Sequence, residues 1–159
     1  PRLEGEVAMR LARDIEDPLA DRAELIAALE GVMPALEVCD SAYEGWPKSL
    51  ADAVADNLSF GAHVLGQCVA ADSVQLDDLP VALKLNGEKV GSGNTGSSMG
   101  NPLDAALWLI NQMVTAGQHL RSGDVIMTGA LAGMQPVAAG DLAEVEMGTL
   151  GSLSCRFSG

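Results

Sequence analysis

From Leu3 to Leu11 apolar residues alternate with polar or small ones, and this period of two predicts a strand at the start of the chain. Leu19, Ala23, Ile26 and Ala27 then fall at helical spacing behind Asp17-Pro18, a cap and a first helical position, predicting a helix over 19–29 that Gly31 ends. The run from Val32 to Val38 is apolar apart from Glu37, which predicts a buried strand carrying one carboxylate and then a loop from Asp40 to Pro47. Residues 51–55 are short enough to be helix or turn.

Phe60 to Val69 is apolar and punctuated by glycine. Val81–Leu85 and Glu88–Val90 flank Asn86-Gly87, the strongest short-range signal for a hairpin. A loop rich in Gly, Ser, Asn and Thr over 91–100 leads to Asn101-Pro102 with Asp104 following, which reads as N-cap, first-position proline and first-turn acid. Leu103, Ala106, Leu107, Ile110 and Val114 form one face of that helix, and Gly117 stops it. Val125–Met127, Val137–Val145 and Leu153–Phe157 read as further strands, and no internal repeat is present. The sum is a strand-dominated α+β domain with two or three helices.

Composition narrows the picture. A chain of 159 residues suits one domain, and with 48% hydrophobic but only 3% aromatic residues its core must be aliphatic, with Trp46 and Trp108 as rare large fillers. Acidic residues outnumber basic ones 22 to 9, and the basic residues are scattered, so nucleic acid is not an expected partner. The formal charge of −13 would also repel a small anionic substrate unless a bound cation inverted the local field. Cys39, Cys68 and Cys155 are odd in number and form no CxxC pair, which argues against a disulfide framework or a zinc–thiolate site and for a reducing compartment. With no leader and no membrane-length apolar run, the expected location is cytoplasmic.

Glu4 and Glu6 are two apart on a strand and present both carboxylates to one face, a poor arrangement without a counter-charge. Glu37, set in an apolar run, needs a cation as well, and no nearby Lys or Arg supplies it. Three hard oxygen ligands suit Mg²⁺ or Mn²⁺ better than zinc or copper, with calcium a lesser fit. A solvated acidic face is the competing reading, and it is the one given to the second such pair, Glu144 and Glu146. Cys39, two residues past Glu37, could share the metal face, but a hard cation would not choose a thiolate. His63, in an apolar segment, and His119, after a helix end, read as structural.

Three strings in order resemble one known family: Leu3-Glu4-Gly5-Glu6-Val7-Ala8, Ala35-Leu36-Glu37-Val38-Cys39-Asp40-Ser41, and Val54-Ala55-Asp56-Asn57-Leu58-Ser59-Phe60-Gly61-Ala62-His63-Val64-Leu65-Gly66. The similarity is to the 2-oxopent-4-enoate hydratase and 4-oxalocrotonate decarboxylase branch of the fumarylacetoacetate hydrolase superfamily. Leu85-Asn86-Gly87-Glu88, Gly100-Asn101-Pro102-Leu103, Gly123 to Gly129 and Leu150-Gly151-Ser152 extend it over the whole chain.

The resemblance implies a rolled, mostly antiparallel β fold of the fumarylacetoacetase C-terminal-domain type over residues 1–159. It implies Glu4, Glu6 and Glu37 as ligands of Mg²⁺ or Mn²⁺, and Asn57, Ser59 and Thr128 as substrate-binding residues. On their own, Asn57 also reads as a turn cap and Ser59 as part of a hydrogen-bonded corner. The implied activity is a hydro-lyase adding water to 2-hydroxypenta-2,4-dienoate in aromatic catabolism. A 4-oxalocrotonate-type decarboxylase, a non-catalytic metal-binding partner subunit and a plain structural domain are the alternatives. Expected partners are that small substrate, further copies of the chain, and a paralogous decarboxylase or hydratase. Two departures stand out: Ala42 occupies a position where the family usually has a basic residue, and the family's upstream region, with its proton-transferring lysine and aspartate, has no counterpart in this sequence.

Overall fold

The structure, a computed structural model, describes residues 1–158. In chain order its elements are β1 (Arg2–Leu11), α1 (Arg22–Ala28), β2 (Leu29–Cys39), α2 (Leu50–Ala55), β3 (Phe60–Leu65), β4 (Pro80–Leu85), β5 (Glu88–Asn94), α3 (Pro102–Thr115), β6 (Val125–Met127), β7 (Gln135–Pro136), β8 (Leu142–Glu146) and β9 (Ser152–Arg156). They build two sheets, ordered β3-β2-β1-β6 with β7 also on β1, and β5-β4-β8-β9. Every ladder pairing among the described strands is antiparallel, as the strand-rich α+β reading expects.

Alternation in β1 divides its side chains between two environments. Leu3, Val7, Met9 and Leu11 join the main core with Val81, Leu83, Ala143 and Val145 of the second sheet. Glu4, Glu6 and Ala8 project to the other face, where Ala8, Met33 and Ala35 are fully buried beneath Leu65, Val125 and Met127. Those three come from β3 and β6, the strands flanking β1 and β2, so the first sheet curls over the face that carries the glutamates. Gly5 lies between the two glutamates on the core side, where an added Cβ would come within 2.9 Å of Val145 Cγ2. Only a residue without a side chain lets the sheets approach this closely.

Caps set the helix boundaries. Asn101 accepts from the Leu103 amide at 2.9 Å, Pro102 opens α3, and Gly117 at φ 77° closes it, with the Gln118 amide bonded back to the Met113 carbonyl. The hairpin turn has Asn86 and Gly87 at φ 54° and 86°, the left-handed pair that a type I′ turn requires.

Four sequence expectations need correction. Trp108, expected as a core filler, is 55% exposed and fills no core. α1 is capped by Asp21, whose carboxylate accepts from the Ala23 and Glu24 amides, and not by Asp17-Pro18. Gly31 does not end the helix; it lies inside β2, where an added Cβ would meet the Val69 carbonyl oxygen at 2.3 Å. The stretch 137–145 is not one strand, because a turn held by the Asp141 carboxylate on the Ala138 amide separates β7 from β8. The second acidic pair is on the outer face as expected: Glu146, 53% exposed, pairs with Lys84 at 2.7 Å. Among the described residues no helix is long and apolar enough to cross a membrane.

Candidate functional site

Ladder register decides which polar side chains meet. Glu4 is the direct partner of Glu37, and Glu37 in turn is the direct partner of His63. Direct partners project on one face, so Glu4, Glu37 and His63 form a row across β1, β2 and β3. Glu6 partners Ala35 on the same face, diagonal to Glu37. Register thus places the three glutamates on one face of two adjacent strands, although among the described residues only Glu4 and Glu37, with Cys39, fall into a cluster within 4.8 Å.

They open onto a cavity of about 560 Å³. Its other polar lining is Asn57, His63, His119 and Asp124, and its apolar lining includes Leu58, Phe60, Leu109, Met113 and Ile126. No lysine or arginine lines it among the described residues. His63 and His119, read as structural from sequence, both border this cavity and are exposed, with the His63 ring 5.8 Å from that of Phe60. The placement of His63 depends on how β3 registers on β2 across a connection of some twenty residues, and that of His119 on the chain after α3, held beside it by the Ile15–Leu120 bridge. Residue pattern alone carries no such signal.

The carboxylates burden one another. Glu6, only 2% exposed, is pushed up to about 8, first by burial, then by contact with Glu37 and by the Glu4 charge, although the Gly129 amide donates to its Oε2 at 2.8 Å and opposes the shift. Glu4 is raised by burial and by Glu37. Cys39 donates to Glu37 Oε1 at 3.6 Å, and burial together with the glutamate charges pushes its thiol up to about 12. Ligand-capable atoms of Glu4, Glu37 and Cys39 all lie within 4.8 Å of one another. Converging carboxylates beside a thiol held protonated fit a hard divalent cation, which would remove the repulsion the acids now share.

The other two residues expected to bind substrate sit elsewhere. Ser59, 5% exposed, donates its hydroxyl to Asp56 and does not line the cavity. Thr128 donates its hydroxyl to the Val7 carbonyl at 2.8 Å, tying the end of β6 to β1. Asn57 does line the cavity, from a turn in which Asn57, Leu58 and Ser59 have φ of 51°, 54° and 63°.

Two curled antiparallel sheets with an acidic row at a cavity define the class, and the chain belongs to the family described as fumarylacetoacetate (FAA) hydrolase C-terminal, whose pattern matches residues 1–158. Within it, the chain is 39% identical over 159 residues to 2-keto-4-pentenoate hydratase 1 of Dechloromonas aromatica, covering 99% of this chain and 60% of that protein. It is 36% identical to 2-hydroxyhexa-2,4-dienoate hydratase of Comamonas testosteroni, with coverage of 99% and 60%. Among solved structures, 4-oxalocrotonate decarboxylase from Pseudomonas putida G7, complexed with magnesium and adipate, superposes with a TM-score of 0.89 at 34% identity, covering 98% of this chain and 60% of that one. The chain therefore spans about three-fifths of the length of these relatives.

Proposed function

We propose that this chain is the metal-binding portion of a hydro-lyase that adds water to a 2-hydroxydienoate, with 2-hydroxypenta-2,4-dienoate as substrate and 4-hydroxy-2-oxopentanoate as product. The observation that carries the reading is the convergence of Glu4, Glu6 and Glu37 on a cavity whose remaining wall is largely apolar. An acidic cluster suits a cation and the apolar wall suits a short hydrocarbon tail. The hydratases among its relatives support the activity.

Glu4, Glu6 and Glu37 would hold Mg²⁺ or Mn²⁺, which when bound supplies a Lewis acid for the carboxylate and 2-oxo end of the substrate. Leu58, Phe60, Leu109, Met113 and Ile126 offer the tail an apolar wall, and Asn57 offers an amide to the substrate's oxygens. His63 and His119 add two imidazoles that both donate and accept hydrogen bonds. In the overall change the 2-hydroxyl proton is lost, carbon 5 gains a proton, and water delivers its oxygen to carbon 4 and a proton to carbon 3. The TM-score of 0.89 to a decarboxylase favours a second reading, in which the same end of a 4-oxalocrotonate is bound and carbon dioxide leaves.

Calorimetry with Mg²⁺ and Mn²⁺ on the protein and on a Glu4→Gln/Glu37→Gln variant, followed by dienoate turnover and carbon dioxide release, tests both. Binding lost in the variant together with dienoate consumption is expected. Carbon dioxide release from 4-oxalocrotonate without dienoate hydration would favour the decarboxylase, and absence of metal binding by the unaltered protein would overturn both readings.

A further inference from the structure

Asn57, Leu58 and Ser59 are three consecutive non-glycine residues in left-handed backbone, a region where the Cβ crowds the following carbonyl and which such residues seldom occupy in series. Strain of this kind persists only where surrounding bonds over-determine it. Here the bonds converge on Asp56. Its Oδ2 accepts from the hydroxyls of Ser41 at 2.6 Å and Ser59 at 2.8 Å, and its Oδ1 accepts from the Ala42 amide at 3.0 Å. Its carbonyl accepts from the Ser59 amide at 2.9 Å, while the Asp40 amide donates to the Ser59 carbonyl at 2.7 Å. One carboxylate therefore closes the turn on itself and fastens it to the loop that follows β2. The same donors hold the Asp56 carboxyl below its ordinary range, as befits a group that only accepts.

The turn has an asymmetry that shows what the clamp is for. Ser59 is buried at its anchored end, Leu58 is 66% exposed, and Asn57 lies between clamp and cavity, lining the latter. Leu58 finds no buried packing site that would hold the backbone in its place. Without the carboxylate, the polypeptide would relax toward ordinary φ values and carry Asn57 with it.

We propose that Asp56 is a positioning residue, whose carboxylate clamp holds Asn57 in left-handed backbone at the wall of the cavity and so sets the amide against the bound 2-oxo acid. The proposal rests on the reading of Asn57 as a substrate contact. Asp56 itself, fully engaged by Ser41, Ala42 and Ser59, does not touch the substrate.

The test uses the Mg²⁺-loaded protein and 2-oxopentanoate, an unreactive acid with the same carboxylate and oxo groups, with affinities read by calorimetry. Asp56→Ala is expected to weaken this probe roughly tenfold or more, in line with the cost of misplacing a binding group, while Mg²⁺ affinity stays unchanged. Asp56→Asn, which can still accept from Ala42 and face the two hydroxyls, should recover most of the loss. Ser41→Ala with Ser59→Ala removes two donors while leaving Asp56 in place, and should weaken the probe in the same direction. Asn57→Ala should show the loss by itself, and adding Asp56→Ala to it should cost nothing further, because the two act as one. Additive losses, or a lowered melting temperature in Asp56→Ala with probe affinity intact, would overturn the proposal alone. Unchanged affinity in Asn57→Ala would overturn the substrate-contact reading as well.

Discussion

Glu4 and Glu37 face each other as direct partners in the β1–β2 ladder, with the Cys39 thiol beside them and, among the described residues, no lysine or arginine in the cavity they share. Like charges directly opposite one another destabilise a sheet by roughly 0.2–1 kcal/mol. In metal-free protein, Glu37→Gln should therefore raise the melting temperature by about 2–4 °C, the shift that about 1 kcal/mol produces in a domain of this size. Mg²⁺ should raise the melting temperature of the unaltered protein further, and Glu37→Gln should abolish that rise. Paired thermal melts with and without Mg²⁺ check this, and a variant melting lower than the parent in the absence of metal would count against mutual repulsion at the site.

Glu6 makes the metal-free protein sensitive to alkali. Its folded-state value of about 8 stands above the ordinary 4.5, so the folded state binds the proton more tightly than the unfolded state between those limits. Stability accordingly falls as pH rises through that window. Denaturation midpoints measured from pH 5 to 8.5 should decline in the parent and flatten in Glu6→Gln. Mg²⁺ binding near pH 7 should release about one proton, measurable by calorimetry in buffers of different ionisation enthalpy.

Gly5→Ala places a methyl group against Val145. Overpacking of this kind costs about 1–3 kcal/mol, and chemical denaturation should show a loss in that range. Val145→Ala in the same chain should restore part of it, since it removes the atom that clashes. A Gly5→Ala protein as stable as the parent would mean that the sheets can separate freely at this point.

Thr128→Val separates two roles for Thr128. Loss of its bond to the Val7 carbonyl should lower stability by about 0.5–1.5 kcal/mol. If the hydroxyl serves only to tie β6 to β1, as its geometry favours, affinity of the Mg²⁺-loaded protein for 2-oxopentanoate should hold steady. A selective drop in that affinity would restore Thr128 as a substrate contact.

Much of this architecture is legible in the residues. β1, the β4–β5 hairpin and α3 carry their own local signals in strict alternation, Asn86-Gly87 and Asn101-Pro102. The placement of Glu4 and Glu6 on one face follows from the same alternation. A tertiary neighbour overrides a local cue at Gly31, which reads as a helix stop but whose smallness serves the approach of Val69. Asp21 lies within the interval read as helix, and only backbone geometry reveals that the chain is still extended there. The row from Glu37 to His63 and the clamp at Asp56 depend on contacts across the connection between β2 and β3. No period along the chain encodes them.

The ten residues of β1 carry two messages on alternate letters. Leu3, Val7 and Met9 specify how the sheets stack, while Glu4 and Glu6 line the cavity on the opposite face. A slip of one position in pairing would exchange the two sets and drive carboxylates into the aliphatic interior. Misregistered molecules would thus be excluded by their own instability, and the chain proofreads its acidic face through the same step that lets it fold.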